Sequence, residues 1–85
     1  MRYDKIIRDI EEELQSWGGR VEFEGELVED FGGGYSEVHY TLDISDSPLI
    51  PEKIERIAYE LGADEVTIRS FGGVYEVTIT IEKEY

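Results

Sequence analysis

Residues 31–38 read Phe-Gly-Gly-Gly-Tyr-Ser-Glu-Val, and this stretch predicts the turn around which the first half of the chain folds. Its successive glycines readily adopt the positive φ angles of tight turns between antiparallel strands. On both sides, over residues 20–31 and 35–44, apolar side chains recur at every second position, as in strands with one buried face. The stretch therefore predicts a β-hairpin, with a bulge near residues 25–28, where two adjacent apolar residues break the alternation.

Residues 71–77, Phe-Gly-Gly-Val-Tyr-Glu-Val, have the same pattern and predict a second hairpin between strands at 64–71 and 74–83. A predicted amphipathic helix precedes each hairpin, because apolar residues recur at intervals of three and four over 3–17 and 51–61. The predicted order of elements is therefore α-β-β-α-β-β.

The predicted fold class is α+β, in a single domain that comprises residues 1–85. We expect a two-layer sandwich in which both helices cover one face of a four-stranded sheet of order 3-4-2-1, with strands 4 and 2 parallel at its centre. This arrangement resembles, in topology only, a ferredoxin-like sandwich whose first strand has moved to the end. The similar turns indicate either two αββ repeats, residues 1–45 and 46–85, or two hairpins that need the same turn chemistry.

The chain is strongly acidic: 21 Asp and Glu residues against 8 Lys and Arg residues give a formal net charge of −13. Nucleic-acid binders neutralise phosphates with clustered basic residues, so direct binding of nucleic acid is excluded, and anionic membrane surfaces are excluded by the same sign of charge. No apolar run approaches the roughly 18 residues of a membrane span, and no apolar block of the signal-peptide type follows the N-terminus. We therefore expect a soluble, cytoplasmic protein.

Cysteine is absent, which excludes disulfides, thiolate metal sites, iron–sulfur clusters and cysteine nucleophiles. Pairs of carboxylates could act as general acid and base, but an open-faced sandwich of this size offers little enclosure to raise a pKa. The glycine runs join strands and do not open a helix, so they do not form a phosphate loop. The sequence therefore predicts neither an enzyme nor a cofactor.

His39 is the single histidine of the chain. Its imidazole could act as a general base or as a pH-sensitive contact, and a zinc site would require it together with carboxylates. We favour the interpretation that it is a surface histidine on a strand, so no metal is predicted.

Aromatic residues flank both predicted turns. Phe31, Tyr35 and Phe71, together with Val74, could anchor a partner protein or form cross-strand pairs that hold the hairpins. Trp17 is the last apolar residue of the first predicted helix, and we expect it to lie in the core.

The outward faces of the predicted strands carry the candidate site. Arg69 is the one fixed positive charge among the predicted outward residues. Carboxylates two positions apart on a strand are separated by about 6.7 Å, a step comparable to that between phosphates along a nucleic-acid backbone. The alternative is that these charges only keep the strands soluble and unaggregated. The predicted partner-binding residues are Glu22, Glu24, Glu26, Glu37, Asp43, Glu76 and Glu82.

This acidic face favours a small, non-enzymatic interaction protein that binds a basic protein surface, such as that of a nucleic-acid-binding enzyme. Phage and mobile-element inhibitors that imitate DNA, among them uracil-DNA glycosylase inhibitors, are similar in size and charge, although no motif is shared. The alternative is a designed or orphan stable domain with no biochemical activity of its own. We expect a monomer or a weak homodimer, because charge on the first strand disfavours pairing at that edge.

Overall fold

The computed structural model describes residues 4–84, and its α+β fold follows the predicted order of elements. The predicted start of the first helix, at residue 3, lies outside the described residues. The helices and strands are α1 (Lys5–Ser16), β1 (Arg20–Gly32), β2 (Tyr35–Ser45), α2 (Pro51–Glu60), β3 (Glu65–Phe71) and β4 (Val74–Glu84). Every predicted helix and strand is therefore present, with small differences at the ends.

The four strands form one open sheet of order β1-β2-β4-β3, which confirms the predicted order. All three neighbouring pairs are antiparallel, so the predicted parallel pairing of the two central strands is wrong. The reason is the path of the chain. The α2 connection carries it from β2 to β3 at the far edge, so that these two strands run in the same direction. The tight turn after β3 then reverses the chain, and β4 enters between them antiparallel to both.

Local sequence explains where the helices begin and end. The Asp4 side chain accepts a hydrogen bond from the backbone N–H of Ile6 at 2.9 Å, which caps α1. Pro51 stands in the first turn of α2, where the missing N–H removes no helical hydrogen bond. The chain leaves α1 through Gly18 and Gly19, both with positive φ angles. Among the described residues, no helix has the length and apolar character that a membrane span requires.

One face of the sheet packs against both helices. Alternate residues of β2 and β4 form a single buried cluster with the apolar stripes of the helices, and Leu42 and Ile79 of the two central strands are fully buried. The helical members of this cluster are Ile7, Ile10, Leu14, Ile54, Ile57 and Ala58. The opposite face, here called the outer face, is covered by no helix of residues 4–84.

Trp17 lies at the surface, and its predicted place in the core is wrong. Its side chain is 46% exposed, because α1 ends at Ser16 and Trp17 follows as the C-terminal cap. The indole N–H donates a hydrogen bond to Glu13 at 3.3 Å, and the ammonium group of Lys53 lies 5.0 Å from the ring centroid. Leu61, the last residue expected in the second helix, is also exposed and lies one residue beyond α2 as its C-terminal cap.

The aromatic side chains beside the turns make local contacts. The ring centroids of Phe31 and Tyr35 are 5.5 Å apart, a distance typical of paired aromatic rings. Phe71 is the cross-strand neighbour of Val74. The guanidinium group of Arg69 lies 5.0 Å from the centroid of the Phe71 ring. Phe31 and Phe71 remain 57% and 51% exposed, so both interpretations, partner anchors and pairs that hold the hairpins, stay open.

Candidate functional site

A bulge in β1 determines which of its side chains reach the outer face. Phe23 is paired with Leu42, and Gly25 is paired with Thr41, so Glu24 is an extra residue between them. The expected break in alternation is therefore confirmed, but it lies earlier in the strand than predicted. Because one extra residue reverses the alternation, the β1 side chains beyond the bulge change faces.

Glu26 does not lie on the outer face, and its predicted membership of the acidic face is wrong. It is paired with Tyr40, a core residue, and its charge adds to the effect of burial in raising the pKa of that tyrosine. Glu29 takes an outer position instead, opposite Glu37. Sequence reasoning missed Glu29, although the two adjacent apolar residues before it signalled the reversal.

One cluster of carboxylates crosses three strands near one end of the outer face. We call it the first acidic band, which consists of Glu22, Glu24, Asp43 and Glu76. Asp43 lies opposite Glu22 on one side and opposite Glu76 on the other. The charge of Asp43, followed by partial desolvation and then the charge of Glu22, raises the pKa of Glu24 above its ordinary value of 4.5. These carboxylates are therefore close enough to repel one another.

Two guanidinium groups among the described residues contact the first acidic band, one at each edge of the sheet. Arg20 lies 3.6 Å from the Glu22 carboxylate, and Arg69 lies 3.8 Å from the Glu76 carboxylate. Arg20, which was not among the predicted outward residues, therefore supplies positive charge beside Arg69. Both guanidinium groups are largely exposed, so each ion pair contributes only about 0–1 kcal/mol. Within residues 4–84, no ion pair forms at Asp43 in the middle of the band.

A second set of carboxylates crosses the same three strands farther along. We call it the second acidic band, which consists of Glu29, Glu37 and Glu82. Glu37 lies opposite Glu29 on β1 and opposite Glu82 on β4. The Tyr35 hydroxyl donates a hydrogen bond to Glu37 at 2.8 Å, and this bond, with burial and the Glu37 charge, raises the pKa of Tyr35 to about 12. The band is therefore partly ordered by its neighbours.

His39 lies on the outer face between the two bands. Its Nε2 atom is 2.7 Å from Glu29 Oε1 and 3.5 Å from Glu37 Oε1. Its Nδ1 atom is 2.8 Å from the hydroxyl oxygen of Thr80, the cross-strand neighbour, whose side chain is only 6% exposed despite pointing outward. The imidazole ring is thus held at both nitrogen atoms.

An open depression lies beside the bulge, at the β1 edge of the outer face. The depression exists because Gly25 contributes no side chain and the neighbouring positions, Thr41 and Thr78, carry short ones. It is a shallow surface feature and not an enclosed cavity. Its lining consists of Glu24, Gly25, Glu26, Leu27, Glu29, His39, Thr41 and Thr78. A depression of this shape favours contact with a large partner or an ion over enclosure of a small substrate.

Six of the seven predicted site residues therefore lie on the outer face, four in the first band and two in the second, while Glu26 lies apart. Comparison with known proteins finds no matching family model, no matching curated protein and no matching solved structure. The function is therefore inferred from the geometry and charge of this chain.

Proposed function

We propose that this chain is a small, non-enzymatic interaction protein whose outer sheet face binds a basic protein surface. The observation that carries the proposal is the register of the two acidic bands. In each band, carboxylates on β1, β2 and β4 lie directly opposite one another. Like charges in such positions destabilise a sheet. A surface selected only for solubility would intersperse both signs of charge, which is the less costly arrangement.

The spacing of the two acidic bands indicates how basic side chains would be arranged on the partner. Asp43 and Glu37 lie six residues apart on β2, a separation of about 20 Å between the two bands. Within a band, neighbouring strands place the carboxylate-bearing backbone positions about 4.8 Å apart. A complementary partner would therefore present two clusters of Lys or Arg side chains, and the net charge of −13 would accelerate their encounter.

A protein surface that normally binds nucleic acid has this chemistry, because it gathers basic side chains to neutralise phosphates. We therefore propose a nucleic-acid-binding enzyme as the partner, with this chain as an inhibitor that occupies the basic groove. In this proposal the carboxylates imitate nucleic-acid phosphates by their density across neighbouring strands. The phosphate-like step expected along β1 is interrupted, because the bulge at Glu24 turns Glu26 to the other face.

The strand order supports two further inferences about the architecture. We infer that it corresponds to a ferredoxin-like sandwich whose first strand has moved to the end, since the order β1-β2-β4-β3 and the α2 connection agree with that arrangement. We also infer a monomer, because the exposed edge of β1 carries Glu22 and Glu24 near a bulge, and charges and bulges both oppose edge pairing.

The proposal is tested by affinity capture from a host-cell extract at low and high salt, followed by mass spectrometry. We expect basic, nucleic-acid-binding proteins to be retained at low salt, released at high salt and displaced by duplex DNA. Retention should fall by an order of magnitude or more for the triple variants E22Q/D43N/E76Q and E29Q/E37Q/E82Q.

The matched control is E12Q/E55Q/E60Q, which removes the same charge from exposed positions of the two helices. Equal loss of retention in this control would mean that only net charge matters and would contradict a site on the outer face. Absence of any salt-dependent partner would favour the alternative, a stable domain with no biochemical activity of its own.

A further inference from the structure

Three potential metal ligands from two strands converge on the outer face. They are Glu29 of β1 and Glu37 and His39 of β2, whose ligand atoms all lie within 4.8 Å of one another. The Nε2 atom of His39 is 2.7 Å from one carboxylate and 3.5 Å from the other. This set combines an imidazole nitrogen with two carboxylate oxygens and is distinct from the purely acidic first band.

The distances suit a small divalent transition cation. Nitrogen and oxygen ligands of tetrahedral Zn²⁺ lie about 2.0–2.2 Å from the ion, which places them about 3.3 Å from one another. The two distances from His39 to the carboxylates bracket this value, and all three ligand atoms lie within 4.8 Å of one another, so side-chain rotations would bring them into coordination. Imidazole nitrogen favours zinc-like transition metals, whereas Mg²⁺ and Ca²⁺ prefer oxygen ligands alone.

Two of the three ligands, His39 and Glu37, are already within hydrogen-bond distance of neighbouring hydroxyl groups. When an ion replaces the proton on Nε2, the proton of the neutral imidazole lies on Nδ1, and the buried Thr80 hydroxyl oxygen, 2.8 Å away, can accept a hydrogen bond from it. Tyr35 donates a hydrogen bond to Oε2 of Glu37, so that Oε1 is the oxygen nearer to His39. Partners of this kind are typical of metal sites, where they orient the ligands.

From this arrangement we propose that Glu29, Glu37 and His39 bind a divalent transition cation of the zinc class. Three protein ligands leave at least one coordination position open. Since Glu29 and His39 also line the open depression, water or a side chain of a partner protein would reach the ion and complete the coordination. The bound ion would also neutralise charge in the second acidic band while leaving the first band unchanged.

Isothermal titration with ZnCl₂ and with MgCl₂ tests the site. We expect saturable one-to-one binding of Zn²⁺ and no comparable binding of Mg²⁺. The variants H39Q and E29Q should each weaken Zn²⁺ binding at least about tenfold. E22Q, which removes the same charge from the same face outside the site, should leave it unchanged. Circular dichroism establishes that each variant is folded, and E29Q at an exposed position provides the test if H39Q does not fold.

Nuclear magnetic resonance of the imidazole gives a second readout, because His39 is the single histidine and its signals are unambiguous. Zn²⁺ should shift the Nε2 resonance, and the bound imidazole should carry its proton on Nδ1. An unchanged Nε2 resonance, equal binding of Mg²⁺, or equal weakening by E22Q would show that no specific site exists at these three residues and would overturn the proposal.

Discussion

Glu29 of β1 lies directly opposite Glu37 of β2 on the outer face of the sheet. The alternation at the start of β1 would place Glu29 on the helix-covered face, and the bulge at Glu24 reverses it. This single extra residue completes the second acidic band and brings a carboxylate to His39. Both proposals about function therefore depend on a local irregularity of one strand.

The core prediction concerns the central strand β2. Leu42 is fully buried there, so L42A should lower the free energy of unfolding by about 2–5 kcal/mol. The matched control is L27A, because Leu27 is 63% exposed on β1 and its truncation should change stability by less than about 0.5 kcal/mol. Urea denaturation followed by circular dichroism measures both, and similar losses would contradict the placement of the two leucines.

A second prediction concerns the turn between α1 and β1. Gly19 has a φ angle of +93°, and a Cβ atom there would lie 2.8 Å from the backbone oxygens of Ser45 and Asp46. G19A should therefore lower the free energy of unfolding by about 3 kcal/mol, through both the disfavoured φ angle and the backbone clash.

Gly33 is the control for that substitution. It also has a positive φ angle, +65°, but open space surrounds the position of a Cβ atom. G33A should lower the free energy of unfolding by only about 1 kcal/mol, the contribution of the disfavoured φ angle alone. Equal destabilisation of the two variants in urea denaturation would mean that the close approach at Gly19 is absent.

The raised pKa of Glu24 predicts that ionisation of this carboxyl group lowers the stability of the folded state in a pH-dependent way. The folded state holds this proton more tightly than the unfolded state, whose pKa is near 4.5, because the charge of Asp43 disfavours ionisation. The repulsion is therefore fully present above the raised folded pKa and disappears as the pH falls below 4.5. E24Q should raise the urea midpoint at neutral pH and low salt.

That advantage of E24Q should shrink at acid pH, where the wild-type carboxyl group is already protonated, and at high salt, which screens the charges. E12Q serves as the control, because Glu12 is exposed on α1, away from the band. A constant difference between E24Q and the wild type across pH would contradict the repulsion from Asp43.

Tyr35 provides a spectroscopic test of the second acidic band. Its hydrogen bond to Glu37 stabilises the neutral phenol and contributes most to raising its pKa to about 12. E37Q should lower the pKa of Tyr35 toward 10.0, as measured by titration of the tyrosine Cζ resonance. The control E22Q should leave that titration unchanged, and a Tyr35 pKa unaffected by E37Q would refute the contact.

Much of this structure follows from local sequence. The period of two in β2 and β4 correctly assigned their inward and outward side chains, since a regular strand alternates faces over its whole length. Glycine pairs after Phe31 and Phe71 located both hairpins, because few other residues adopt the required positive φ angles. The regular alternation of β2 and β4 also explains why the sequence placed four acidic residues on the correct face: Glu37, Asp43, Glu76 and Glu82.

β1 shows where local sequence is insufficient. Its alternation fails at Leu27 and Val28, but an extra residue at any of several earlier positions would restore it. The position is set by hydrogen bonding to β2, which places the extra residue at Glu24. That choice determines the faces of Glu26 and Glu29, and the sequence pattern alone assigned the first to the wrong face and omitted the second.

The sequence by itself therefore determined the elements, the turns and the sign of the charge, because each depends on residue types at short spacing or on their sum. Only the tertiary structure decided that β4 runs antiparallel to β2 and that Glu29, Glu37 and His39 meet. The physical reason is that register and direction are properties of hydrogen bonds between strands distant in sequence. A shift of one residue in that register moves a carboxylate from one face of the sheet to the other.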